Sequence, residues 1–177
     1  MKKHIFLIGP GASGKTTYGK LLAEKLHLRV FDIDEELTKS VGPIKEYCNK
    51  HGYNKYHAAN SNIFYKLLLK NKKDRSIFVI SPGMLVRGLE KLRNKNIDKI
   101  NKNGIAILLM PSKGFRESVN ILFKREKKRS WYKDHNALLK KIKSDVKSYR
   151  NFGDIKIYTN YNSKESNVNK IIKKLNF

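Results

Sequence analysis

Gly9-Pro10-Gly11-Ala12-Ser13-Gly14-Lys15-Thr16 is a complete G-x-x-x-x-G-K-[ST] motif. It follows directly on the apolar run His4-Ile5-Phe6-Leu7-Ile8. It leads into Tyr18, Leu21, Leu22 and Leu26, whose spacing lays an apolar stripe along a helix beginning near Gly14, with Lys25 at its edge. Glycines permit backbone angles closed to other residues and let the chain approach a ligand, so that successive N–H groups can cradle phosphate oxygens. The positive end of the helix dipole faces the same anion. In this pattern Lys15 is expected to reach the β- and γ-phosphates of a nucleoside triphosphate and the Thr16 hydroxyl to ligate Mg²⁺. The cradle is read as Gly11, Ala12, Ser13, Gly14, Lys15, Thr16 and Thr17. A dinucleotide fingerprint fits less well, because G-x-G-x-x-G needs no Lys-Thr pair.

Outward from this loop, short β-rich runs at 4–8, 28–31, 77–81, 105–110 and 155–159 alternate with longer stretches of helical spacing. Apolar strands separated by helices imply a parallel sheet covered on both faces. The expected fold is α/β, a three-layer α/β/α arrangement on a five-stranded parallel sheet, forming a single domain over residues 1–177. Two stretches exceed a minimal βα unit. Residues 38–71 read as two or three helices inserted after the second strand. Residues 115–152 are helical at both ends and crowded with Lys124, Arg125, Lys127, Lys128, Arg129 and Lys133 between, which suggests a lid over about 115–135.

Asp32-Ile33-Asp34 follows the second strand, at the carboxyl edge where open α/β sheets bind ligands. In an extended chain, alternation points Asp32 and Asp34 to one side and Ile33 to the core. One carboxylate then suits Mg²⁺ and the other suits proton abstraction from an attacking hydroxyl. Alternatively, Asp34 with Glu35 and Glu36 favours the first turn of the next helix through its dipole. The two readings are compatible.

Composition bounds the partners. The 177 residues carry 39 Lys and Arg against 15 Asp and Glu, a formal charge of +24, which is the usual electrostatic footprint of a nucleic-acid binder. However, 31 of the basic residues are Lys, and Asn and Ile each occur 17 times. That usage matches A/T-rich codons. The excess is also diffuse, at +9 through Gly88 and +15 beyond it. A solvated basic surface is therefore favoured over a nucleic-acid partner. Cys48 alone can form neither an internal disulfide nor a cysteine cluster, which suits a reducing cytoplasm. No apolar run approaches the roughly 20 residues that span a bilayer. The basic start is broken by the glycine loop before it can read as an export signal.

Together these residues resemble the shikimate kinase family, small P-loop kinases that phosphorylate a hydroxyl of a carbocyclic acid using ATP. The phosphate loop, the D-x-D at Asp32 and Asp34, and the helical stretch Ile44-Lys45-Glu46-Tyr47 up to Gly52 stand in the family's order and spacing. Arg125 and Arg129 fall in its lid, and Thr159-Asn160-Tyr161-Asn162-Ser163 falls where its last strand turns toward the adenine. The resemblance implies that Asp34 contacts the acceptor and serves as base, that Asp32 organises Mg²⁺ with Thr16, and that Arg129 closes on the phosphates with Arg125 nearby. It also implies ATP and a small hydroxyl acceptor as ligands, and a monomer.

The departures gather at the acceptor. The family's G-E-x-x-F-R-x-x-E aligns with Gly52-Tyr53-Asn54-Lys55-Tyr56-His57-Ala58-Ala59-Asn60, which puts His57 where the substrate arginine stands and Asn60 where the last glutamate does. The triple glycine aligns with Pro82-Gly83-Met84, leaving Gly83 as its one glycine. A second substrate arginine, four residues before Tyr149, is Asp145 here. A carboxylate acceptor wants bidentate arginine forks, and Lys55, His57 and Arg87 are the residues able to supply replacement charge. His57 reads equally as a substrate group or a partly exposed helix histidine, and Trp131 as a packing or a ligand-stacking side chain. The leading expectation is phosphoryl transfer from ATP to a small-molecule hydroxyl. The alternatives are a nucleotide or nucleic-acid 5′-hydroxyl kinase, and an ATP-binding relative without catalysis that serves a protein partner.

Overall fold

The apolar run ahead of the phosphate loop becomes the central strand of the sheet in the computed structural model, which describes residues 4–128 and 134–175. The strands are β1 (His4–Ile8), β2 (Arg29–Asp32), β3 (Ser76–Val79), β4 (Gly104–Met110) and β5 (Ile155–Tyr158). They are ordered β2-β3-β1-β4-β5 and every neighbouring pair is parallel, with Leu7 opposite Val79 on one side and Ile107 on the other. The expected five-stranded parallel sheet is therefore present. Its second strand sits one residue later than the apolar run suggests, because Asp32 still pairs with Val79.

Alternation divides the sheet's side chains between two cores. Phe6, Ile8, Phe78, Leu108 and Met110 join residues of α3 (Ile44–Lys70), α4 (Glu90–Asn103), α5 (Phe115–Lys127) and α6 (His135–Tyr149). Ile5, Leu7, Ile77, Val79, Ile107 and Leu109 face α1 (Lys15–Leu26) and α7 (Lys164–Leu175). Cover on both faces explains why the central strands β1, β3 and β4 read as apolar runs.

The remaining helix, α2 (Ile33–Val41), begins where β2 ends. Asp32 caps it, accepting from the N–H groups of Asp34 and Glu35 at 3.1 and 3.4 Å. This corrects the extended-chain argument for the acidic pair. Asp34 lies in the first turn of a helix, so helical geometry and the cap, not strand alternation, place the two carboxylates; Ile33 is nonetheless buried as expected. After α2 comes α3, broken at Gly52 (φ 80°), so the insertion supplies three helical segments. Within the stretch expected to form a lid, Val119 and Leu122 of α5 are buried in the core, so 115–127 packs in the helical layer. Arg129 and Trp131 lie outside the described residues.

Gly19 lets α1 pack close on the sheet, since a β-carbon there would sit 2.7 Å from Val79 Cγ2. Gly19→Ala is expected to destabilise the fold by about 1–3 kcal/mol through overpacking. Urea unfolding checks this, and an unchanged midpoint would contradict the packing described.

Candidate active site

The phosphate loop holds three residues at positive φ: Gly9 at 143°, Ala12 at 55° and Gly14 at 97°. A side chain on Gly9 would collide with the Leu109 carbonyl oxygen, so the first glycine of the motif is needed for contact as well as for torsion. Ala12 bears its left-handed conformation without that freedom, at a typical cost of about 1–3 kcal/mol. Alternating backbone handedness turns N–H groups toward a common concavity. Lys15 is buried and donates to the carbonyl oxygens of Gly9 and Pro10 at 2.9 and 2.8 Å, which keeps its ammonium group over the loop. Burial lowers its pKa to about 8, against the opposing pull of Asp34, Asp32 and Glu126.

The Thr16 hydroxyl donates to Asp32 Oδ2 at 2.6 Å. Hydroxyl and carboxylate thus meet beside the cradle, a hard-oxygen pair that suits Mg²⁺. Among the described residues no group of three or more His, Cys, Asp and Glu side chains forms a metal cage. A cation here would take its other ligands from phosphate and water, as Mg²⁺ commonly does.

Asp34 is held by a network that the motifs do not announce. Its Oδ1 accepts from Tyr56 Oη at 2.8 Å and from Asn60 Nδ2 at 3.3 Å, and both donors also reach Ser81 Oγ, at 3.0 and 3.2 Å. Two residues one helical turn apart on α3, and one just beyond β3, therefore fix a single carboxylate. Burial raises the Asp34 pKa, and the Tyr56 hydrogen bond opposes that rise. Burial also raises the pKa of Tyr56, with Asp34 adding to it, which keeps its hydroxyl protonated as a donor. Asn60 has a definite use as a neutral donor to Asp34.

These groups open on one cavity of about 570 Å³, a size typical of small-molecule sites. Gly11 to Thr17, Asp32, Asp34, His57 and Gly83 all line it, so the structure brings together every described residue of the expected site except Arg125. That side chain is tied to the phosphate loop instead, donating from Nη1 to the Ala12 carbonyl at 3.2 Å. Arg129 lies outside the described residues.

His57 is not the partly exposed helix histidine of the plainer reading. It is 5% exposed, and its ring lies so close to Gly83 that a β-carbon there would overlap it, which gives the retained glycine a steric reason. Burial, then the Arg87 charge, lowers its pKa to about 4. His57 is therefore neutral near pH 7 and supplies no replacement cation. Lys55 is exposed and is not among the lining residues.

Arg87 does line the cavity. Its Nη2 donates to Asp145 Oδ2 at 3.1 Å, and Lys141 Nζ lies 3.5 Å from the same oxygen. Asp145 is 2% exposed. Breaking such a buried pair from one side typically costs about 3–5 kcal/mol. The pairing was partly legible, because an acid where an arginine is expected, in a chain with 15 acids, invites a search for a scarce arginine facing it. Glu126 also lines the cavity and lies over the phosphate loop, close enough to Gly11 that a β-carbon would meet its carboxylate.

Comparison with known proteins agrees with this architecture. The profile of the shikimate kinase family matches residues 11–176. The chain is 31% identical over 126 residues to a shikimate kinase of Thermodesulfovibrio yellowstonii, covering 71% of this chain and 64% of that protein. It is 30% identical over 171 residues to one from Persephonella marina, covering 96% and 97%. Among solved structures, the shikimate kinase of Acinetobacter baumannii in complex with shikimate superposes with a TM-score of 0.78 at 21% identity, covering 99% of this chain and 93% of that one. A deoxyadenosine kinase from M. mycoides shares the fold more loosely, with a TM-score of 0.63 at 18% identity, covering 98% of each. An intact phosphate loop, an oriented carboxylate beside it and a family match over nearly the whole length lead to one conclusion: this chain belongs to the shikimate kinase family of ATP-dependent kinases.

Proposed function

We propose that this protein transfers the γ-phosphoryl group of ATP to a hydroxyl of a small molecule, with Asp34 as the general base. The observation that carries this reading is the opening of the phosphate cradle and the Tyr56- and Asn60-oriented Asp34 on the same cavity. Both network bonds fall on Asp34 Oδ1, so Oδ2 is assigned to take the acceptor's proton. The acceptor oxygen then bonds to the γ-phosphorus as the bond to the ADP oxygen breaks. Loop N–H groups and the Lys15 ammonium stabilise the charge spread over the transferring group, so that catalysis rests on positioning and electrostatics. Thr16 and Asp32 would hold Mg²⁺, which neutralises phosphate charge when bound. Arg129 is assigned to the lid, as the family resemblance implies. The acceptor named for the solved relative, shikimate, is one member of the hydroxyl-bearing class to test.

The charge of the cavity favours a compact acceptor over a polyanion. Despite the chain's +24, Lys15, Lys45, Arg87 and Lys141 on the wall are matched by Asp32, Asp34, Glu35 and Glu126. A coupled ADP-release assay over shikimate, sugars, cyclitols, nucleosides and oligonucleotides tests the reading. Turnover with a small hydroxyl compound is expected, and turnover confined to oligonucleotides would contradict it.

The pH dependence follows from the two buried groups. In kcat/KM, which reports the free enzyme, activity should fall on the acid side where Asp34 is protonated and cannot accept a proton. Because burial raises that pKa, the limb lies above the ordinary carboxylate range. On the alkaline side activity should fall where Lys15 loses its proton, from about pH 8. Tyr56→Phe removes a donor that favours the ionised carboxylate. The acid limb should then move to higher pH while the alkaline limb stays, and an unmoved acid limb in the variant's pH profile would contradict the network.

A further inference from the structure

Arg87 carries a guanidinium that the protein itself uses only in part. It stands on the segment between β3 and α4, lines the cavity, and has a side chain 30% exposed. Among the described residues its one hydrogen bond runs from Nη2 to Asp145 Oδ2 at 3.1 Å, and Nε has no partner in the protein. A guanidinium presents its N–H donors in a planar fork that fits a carboxylate with two parallel bonds. Asp145 takes a single bond from that set, which leaves the end-on fork of Nη1 with Nη2 open to a ligand.

The surrounding charges favour an anion at the same point. Lys141 Nζ lies 3.5 Å from the Asp145 oxygen that Arg87 also meets, so two cations share one buried carboxylate and the three groups together are net positive. Burial, then the Arg87 charge, lowers the Lys141 pKa, as expected for two cations held close together out of water. Glu126 acts on Lys141 from the side of the phosphate loop, which concentrates the excess on Arg87. A half-buried cation is costly unless an anion answers it. Arg87 and Asp34 line one cavity, so a single small acceptor can present a hydroxyl to Asp34 and an anionic end to Arg87.

Resting on the kinase reading above, we propose that Arg87, held from behind by Asp145, is the anchor for a carboxylate of the acceptor while Asp34 takes the hydroxyl. The positions where the family resemblance places substrate arginines hold a neutral His57 and an acidic Asp145. The anchor therefore comes from a different segment, and Arg87 becomes a specificity-determining residue of this chain.

Shikimate and its methyl ester share a ring and hydroxyls and differ in one charge, so they probe the assignment directly. Calorimetric binding of both, in the presence of ADP and Mg²⁺, is measured on the wild type, on Arg87→Gln and on Arg87→Lys. The wild type should bind the acid about tenfold or more tighter than the ester, the scale of a charge-assisted pair. Arg87→Gln leaves Asp145 paired with Lys141 and should weaken shikimate by about tenfold or more, with the ester and ADP unchanged. Arg87→Lys keeps the charge, loses the fork and should fall between the two. A wild type that binds the ester as tightly as the acid, or binds neither, overturns the proposal. So does a folded Arg87→Gln with unaltered shikimate affinity. If Arg87→Gln does not fold, Arg87→Lys takes its place, and unaltered shikimate affinity there overturns the fork; if neither folds, the wild-type comparison of acid and ester decides. Failure of the kinase reading shows separately, as binding without ADP release from any acceptor.

Discussion

Lys15→Ala is expected to lower kcat/KM by about 10³-fold, the scale seen when a preorganised group facing transition-state charge is removed. Lys15 is a buried ammonium group held over the cradle by two loop carbonyls. Its burial costs free energy, as the lowered pKa shows, and no packing need accounts for a charge at that point. An arriving triphosphate supplies the anion that offsets this cost. The variant should therefore lose nucleotide affinity as well as rate, while thermal unfolding changes little. Nucleotide titration alongside steady-state kinetics separates these effects. Full turnover in Lys15→Ala would show that the loop does not bind the reacting phosphates.

Asp34→Asn should lower kcat by about 10² to 10⁴, the usual range for a general base, with the KM for ATP nearly unchanged. The substitution is nearly isosteric, and an amide oxygen at Oδ1 still accepts from Tyr56 and Asn60, whose bonds to the carboxylate are 2.8 and 3.3 Å. What is lost is the capacity to take a proton. A fall in kcat with intact ATP affinity marks a group that acts on the acceptor. An equal loss of ATP affinity would mean that Asp34 serves the cradle instead, and steady-state kinetics at varied ATP distinguishes the two.

The phosphate-binding half of this site was legible because its requirements are local. Gly9, Gly14 and Lys15 answer to torsions and charge within one eight-residue motif, and the central strands β1, β3 and β4 can be read from apolar runs because the sheet is covered on both faces there. The acceptor half was less legible because its contacts are long-range. Asn60 looks like a lost glutamate until α3 brings it to Asp34 and Ser81. Asp145 looks like a lost arginine until Arg87, 58 positions earlier, is found against it. The acidic pair shows a milder failure. Strand alternation assigned Asp32 and Asp34 to one side, whereas a helix cap at Asp32 does the work. Its outcome is similar because both routes bury Ile33.

The chain's basic character proved a weak guide to the site for a related reason. Net charge describes a surface, and this cavity balances its own charges within a +24 protein. What distinguishes the site is how particular charges are paired.

The most direct measurement is transfer of label from γ-labelled ATP in a mixture of shikimate and uncharged polyols, with ADP followed in parallel. The account predicts one labelled phosphate monoester formed per ADP released over many turnovers, and near-loss of that product in Asp34→Asn. Label appearing only as inorganic phosphate, or nucleotide binding with no transfer to any hydroxyl, would contradict it.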